Sequence, residues 1–270
     1  MKRDKASAFL GVAAAIACFA SPTAAQSGTR SMSARTSSPT GPSASSQGVA
    51  VVELFTSQGC SSCPPADAAL RQIASIAKQT SVPVYVLSFH VDYWNRLGWK
   101  DPYSDVAYSN RQKAYAKAAG SRRVYTPQMV VSGRTEFVGS DKEKARQAIT
   151  SALKKKAQTQ IQLQVAPLTS GDTVVIQFQI EGDSQGHHLN VAVVETPAAN
   201  VVPRGENAGR QLAHVNVVRT FQTVELDGAS GQVDLKLPRD IDFENARVIA
   251  YIQNTKSLAV SGATSIAIGT

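Results

Sequence analysis

Two cysteines, Cys60 and Cys63, stand directly after the apolar run Val49–Phe55 and directly before a stretch of helical spacing. That placement constrains the chain more than any other feature. A run of Val, Ala, Leu and Phe reads as a strand buried on both faces. Ala66, Ala69, Leu70, Ile73, Ile76 and Ala77 then recur at helical intervals. The cysteine pair therefore sits where a strand hands over to a helix. A bridge across so short a loop constrains the unfolded chain little, so a redox couple or a metal clamp is a better account than a staple.

The only other cysteine, Cys18, falls in a segment that reads as an export signal. Lys2, Arg3 and Lys5 give a basic start, Phe9–Ala20 is apolar but too short to anchor in a bilayer, and Thr23–Ala25 offers small residues for cleavage. Residues 1–25 are expected to be a signal peptide. Residues 26–48, rich in Ser, Thr, Gly and Pro, are expected to be a disordered linker. The mature protein is expected to be periplasmic or secreted, with no membrane span after signal cleavage. Oxidants outside the cytosol let a cysteine pair cycle or stay bridged. The net charge of +8 is dispersed apart from Arg122-Arg123 and Lys154–Lys156. The lysine run ends a predicted helix, where cations suit the dipole, so nucleic acid is not an expected partner.

The texture changes near residue 157. Before it, predicted strands and helices alternate as β-α-β-α-β-β-α. Val82–Phe89 is the second strand, and Asp101-Pro102 is expected to open the second helix. Ser132-Gly133 marks a hairpin between Gln128–Val131 and Arg134–Val138. Ser140 with Glu143 forms an expected capping box. Pro64 or Pro65 should begin the helix after the cysteines. After residue 157, short strand-like segments separated by Gly, Pro and Asp predict an all-β sandwich over 158–270.

The order of elements over 49–157, with C-x-x-C after the first strand and Thr126-Pro127 before the third, resembles the thioredoxin fold. At finer grain, Glu53–Asp67 (ELFTSQGCSSCPPAD), His90–Trp94, Leu97–Trp99, Val124–Gln128 and Gly205–Asn207 resemble an exported bacterial thioredoxin-like family catalogued only as a domain of unknown function. The resemblance covers about residues 49 to 268 and implies the two-domain layout. It implies that Pro127 is a cis-proline facing the cysteines. It also offers Glu53 as an analogue of the buried acid of thioredoxins, a proton relay to Cys63. Glu53 lies one position further from the first cysteine than that acid, which reverses its face on a strand count. Pairing with a Lys or Arg is the other account of it.

The expected activity is thiol-disulfide exchange on protein or small thiol clients, with an unidentified redox partner and no cofactor beyond the cysteine pair. Cys60, nearer the strand end and with its thiolate stabilised by the helix N-terminus, is expected to be the exposed attacking thiol, and Cys63 the resolving one. Thr126, Tyr93 and Trp94 are candidate client-binding residues. The aromatics of 90–103 offer either a client groove or a packed lid. A rival reading uses Cys60, Cys63 and His90 to bind or deliver Cu(I). A third is a non-enzymatic binding module with a permanent bridge. Residues 196–213, with Arg204, Glu206, Asn207 and Arg210, are long for a connection. They either fold back toward the cysteines or form a solvated loop. His187, His188 and His214 read as surface or turn histidines.

Overall fold

A computed structural model describes residues 47–166 and 172–268. The expected signal peptide and nearly all of the linker lie outside the described residues. Among the described residues no helix is long and apolar enough to cross a membrane.

The first half of the chain runs β1 (Ala50–Thr56), α1 (Pro64–Thr80), β2 (Val84–His90), a 3-10 turn (Asp92–Leu97), α2 (Val106–Ala118), β3 (Gln128–Val131), β4 (Thr135–Val138) and α3 (Lys142–Leu153). Every residue of β1 is buried, because the strand is covered on both faces. Val52 and Leu54 pack with Ala66 and Leu70 of α1 and Ala145 of α3. Val51 and Phe55 pack with Tyr108 and Tyr115 of α2. β1 pairs with β2 in parallel, Thr56 opposite His90, and with β3 antiparallel. The parallel pair ends beside the N-terminus of α1, where the cysteines lie.

The second half supplies β5 (Thr159–Val165), β6 (Thr173–Gly182), β7 (His187–Glu195), β8 (Asn200–Val201), β9 (Gln211–Leu212), β10 (Val217–Glu225), β11 (Ser230–Lys236), β12 (Ala246–Asn254) and β13 (Val260–Ala267). The fold is mixed α/β. One eight-stranded mixed sheet runs β13-β12-β7-β10-β2-β1-β3-β4, with a three-stranded sheet β11-β6-β5 and the small β8-β9 pair beside it. This corrects the expectation of a self-contained sandwich after residue 157. The three-stranded sheet does stack its Val174, Ile176 and Val233 onto Val191, Val193, Val248 and Ala250, as a sandwich would. The second layer of that stack, however, is an extension of the first half's own sheet. The seam is short but well tied. Val217 registers with Ser88, the Ser88 amide and hydroxyl donate to Asn216 O and Val215 O, and Asn216 Nδ2 donates to Val86 O at 3.0 Å.

Two expected helix starts move. Asp105, not Asp101, caps α2, accepting from the Ala107 amide. Asp141, not Ser140, caps α3, accepting from the Lys144 amide, and Glu143 turns instead to Arg146. The β3-β4 hairpin holds Ser132 at φ 48° and Gly133 at φ 66°, the pair of positive angles that a two-residue turn of this hand needs. A Cβ on Gly133 would lie 1.7 Å from Leu258 O. Gly133→Ala is therefore expected to destabilise by more than the ~1 kcal/mol of a left-handed alanine, read as a lower urea midpoint. An unchanged midpoint would disprove the contact.

Candidate active site

The sequence turns sharply between β1 and α1. The Cys60 amide donates to Ser57 O at 3.1 Å, and the Cys63 amide to Cys60 O at 3.2 Å. Pro64 opens the helix with Cys63 at its N-cap, where no amide of the proline is needed. Cys60 and Cys63 form a disulfide with their Cα atoms 5.4 Å apart. Pro64 and Pro65 bring no amide to the first turn, and the Ala66 and Asp67 amides donate to Cys63 O at 2.9 and 3.1 Å, so what this end offers a sulfur anion is the helix dipole.

The Thr126-Pro127 peptide is cis. The Thr126 hydroxyl donates to Cys60 Sγ at 3.3 Å and accepts from Trp94 Nε1 at 2.8 Å. Ser62 Oγ lies 3.4 Å from the same sulfur. Gly139 lets this layer close up: a Cβ there would meet Leu54, Ala66 and Pro127 within 3.4 Å. Trp94 thus acts on the cysteine through Thr126. Tyr93 is instead turned toward α2, its hydroxyl donating to Gln112 Oε1 at 3.2 Å.

One expectation fails here. Cys60 is not open to solvent; both cysteines are 0 % exposed, while Ser61 and Ser62 between them are exposed. The cover comes partly from the distant segment 202–210, which β8 and β9 tie at its base. The fully buried Asn207 donates through Nδ2 to both Gln58 O at 2.9 Å and Cys60 O at 2.8 Å. Arg210 holds the other side of that amide at 2.9 Å. Glu206 accepts the Ser61 amide at 3.0 Å, and the Ser61 side chain first, then this amide, hold its carboxyl below the usual range. Gln58 and Asn200 pair amide to amide. The long connection 196–213 therefore folds back onto the cysteine turn.

The family described as "protein of unknown function (DUF1223)" matches residues 51–253, a span holding the cysteine turn, Thr126-Pro127 and the 202–210 segment. The chain belongs to the DUF1223 family. A structural-genomics crystal structure of an Agrobacterium tumefaciens protein is similar at 31 % identity and TM-score 0.60, covering 82 % of this chain and 96 % of that one. HBP35 of Porphyromonas gingivalis shares the fold at 14 % identity and TM-score 0.56, over 82 % of this chain and 76 % of that one. No protein of curated function matches.

The remaining candidates of this DUF1223 chain lie away from the sulfurs. Glu53 is on the α2 face of β1 and is bound by Arg111, Nε at 2.9 Å and Nη2 at 2.8 Å, with the Tyr115 and Tyr251 hydroxyls donating to Oε1. All these bonds commit it to the core, so the arginine-pairing account describes it and the relay to Cys63 does not. His90 is buried on Asp101, Nδ1 to Oδ2 at 2.7 Å. Burial alone would lower its pKa, but the charge and hydrogen bond of Asp101 outweigh that and raise it. Asp101 is held low by His90 and by the Gln58 and Tyr103 amides against the opposing effect of burial. The His90 ring also meets His214 edge to face at 4.6 Å, and His214 Nδ1 is 3.5 Å from Asp67 Oδ1. His214 is thus buried, contrary to the surface reading. Among the described residues no three His, Cys, Asp or Glu side chains stand together so as to hold a metal ion. Sequence reasoning missed Asp101, His214 and Asp67. Only Asp67, one helical turn beyond Cys63, carried any signal.

Proposed function

We propose that this DUF1223 protein is an exported thiol-disulfide oxidoreductase built on a thioredoxin-like arrangement. The observation that carries this reading is the Thr126 hydroxyl on Cys60 Sγ, next to the cis Thr126-Pro127 bond and across from the helix N-terminus. A polar group aimed at one sulfur of a bridged pair suits a sulfur that becomes a thiolate. In the reduced protein the Cys60 thiolate attacks a client disulfide, forming a mixed disulfide and releasing the first client sulfur as a thiolate. Cys63 loses its proton and attacks Cys60 Sγ, the mixed disulfide breaks, and the second client thiolate leaves. The client gains two electrons and the pair is bridged again; a dithiol reductant resets it, whereas after client oxidation the reduced pair is re-bridged by an oxidant such as a quinone-linked partner. Client oxidation is the reverse.

A second reading has one observation in its favour. Both cysteines are 0 % exposed, as in a permanent bridge. The Cu(I) reading lacks support for its third ligand, because His90 faces Asp101 and His214. Cys63→Ser decides among them. The expected result is a set of reductant-sensitive adducts through Cys60 in exported extracts, absent from Cys60→Ser/Cys63→Ser. No adducts, together with a wild-type bridge that resists dithiothreitol until the protein is denatured, would establish the permanent bridge instead.

A further inference from the structure

The covering segment contributes the only acid within hydrogen-bond reach of the C-x-x-C backbone among the described residues. It also supplies a fully buried amide that grips the carbonyl of Cys60 itself. These contacts come from a part of the chain roughly 145 residues downstream. They are not needed to build β1 or α1, whose cores are complete without them. They hold the backbone of a turn whose two cysteines have no exposed surface.

We propose that Val202–Arg210 is a latch on the redox centre: Asn207 fastens it over Cys60 and so limits client access, while Glu206 occupies the Ser61 amide and disfavours a thiolate on Cys60. Asn207 and Glu206 are positioning residues, acting through the Gln58–Ser61 backbone. The inference rests on the exchange reading above.

Three physical points support it. First, Cys60 cannot be attacked or attack while fully covered, so exchange needs a movement. The described segments whose polar contacts reach the 58–62 turn or its sulfur are the 94–101 region, Thr126, Asn200 of β8 and the latch. The latch is the one that rests on a two-residue hairpin, β8-β9, and is mostly exposed on its outer side. Segments with few buried contacts open at the lowest cost. Second, opening strips Asn207 Nδ2 from two carbonyls at once. The cost of losing both bonds together makes the covered state the more populated one. Third, a thiolate at a helix start draws on nearby amides. The Ser61 amide is already bound to a carboxylate, which also adds a like charge beside any thiolate that forms.

The test uses the wild-type protein, Asn207→Ala, Arg210→Ala and Glu206→Gln, each checked for native circular dichroism. Bridge opening is followed with dithiothreitol, and the reactivity of the reduced Cys60 with iodoacetamide against pH. Asn207→Ala is expected to be reduced about tenfold faster than wild type. Arg210→Ala, which leaves both Nδ2 bonds in place, should show a smaller gain in the same direction and serves if Asn207→Ala does not fold. Glu206→Gln is expected to lower the pH midpoint of alkylation by about half a unit, a shift that should shrink in molar salt. A purely structural role would not move that midpoint. If wild type exchanges but none of the variants differs from it in rate or midpoint, the latch is wrong and the exchange reading stands. If neither wild type nor Asn207→Ala exchanges while folded, the exchange reading itself fails.

Discussion

Arg111→Ala is expected to cost about 3–5 kcal/mol of folding stability, the usual effect of stranding one partner of a buried ion pair. Glu53 is 2 % exposed and Arg111 12 %. The guanidinium bonds both carboxylate oxygens, the Tyr115 and Tyr251 hydroxyls and Gln253 Oε1. It also lies 4.8 to 5.7 Å from the ring centres of Phe221, Tyr115, Phe89 and Tyr251. Removing it leaves a carboxylate at the centre of the molecule among groups arranged for a cation. Glu53→Ala should cost a similar amount. The paired replacement Glu53→Leu/Arg111→Leu should recover most of the loss, since a buried pair often does little better than hydrocarbon of similar volume. Urea unfolding of the four proteins checks this, and a single-mutant loss under 1 kcal/mol would refute it. The same series tests the role of Glu53. As a core ion pair it should change the unfolding midpoint, whereas a proton relay would change the pH dependence of exchange in the folded protein.

That ion pair shows where the sequence was readable. The strand count already turned Glu53 away from the face of α1, and an acid inside an otherwise apolar strand required a partner. Which cation it meets was not readable, since Arg111 lies 58 residues on and only the packing of α2 across the sheet brings it near. The start of α1 at Pro64 was legible because proline has a local rule for the first turn. Asp101-Pro102 followed a similar local rule and misled. Its carboxylate is drawn inward by His90 and by the Gln58 amide, and nothing in the neighbouring residues signals so distant a donor. The strands beyond residue 157 were visible as alternation. The sheet they join was not, because β10 meets β2 through one registered pair and a few polar ties. His214 had no local signal at all: its burial follows from that seam.

Asp101→Asn is expected to lower stability by about 3–5 kcal/mol near pH 6 and to loosen the cysteine turn. Asp101 Oδ2 takes both the His90 Nδ1 proton and the Gln58 amide, each at 2.7 Å, and Oδ1 takes the Tyr103 amide at 3.0 Å. All three neighbours are donors. An asparagine must turn its own N–H₂ toward at least one of them, so a near-isosteric change leaves a buried donor facing a donor. The groups facing His90 are Asp101 from its own loop, His214 from the segment before β10, Asp67 from α1 and the Tyr103 ring. His90 is raised from 6.5 in the folded protein, so its contribution is complete below 6.5 and is lost as pH rises through the folded value. Asp101 is lowered from 3.8, so its contribution is complete above 3.8 and is lost as pH falls through its folded value. The gap between wild type and Asp101→Asn should therefore be widest between about pH 4 and 6.5 and narrow on the alkaline side. Unfolding curves from pH 4 to 9 measure it, and a gap that is flat or grows above pH 7 would rule out a charged His90. Because the Gln58 amide loses its anchor in the same variant, dithiothreitol should also reach the bridge faster. That acceleration should persist on the alkaline side where the stability gap has narrowed, because the amide contact does not depend on the imidazole proton.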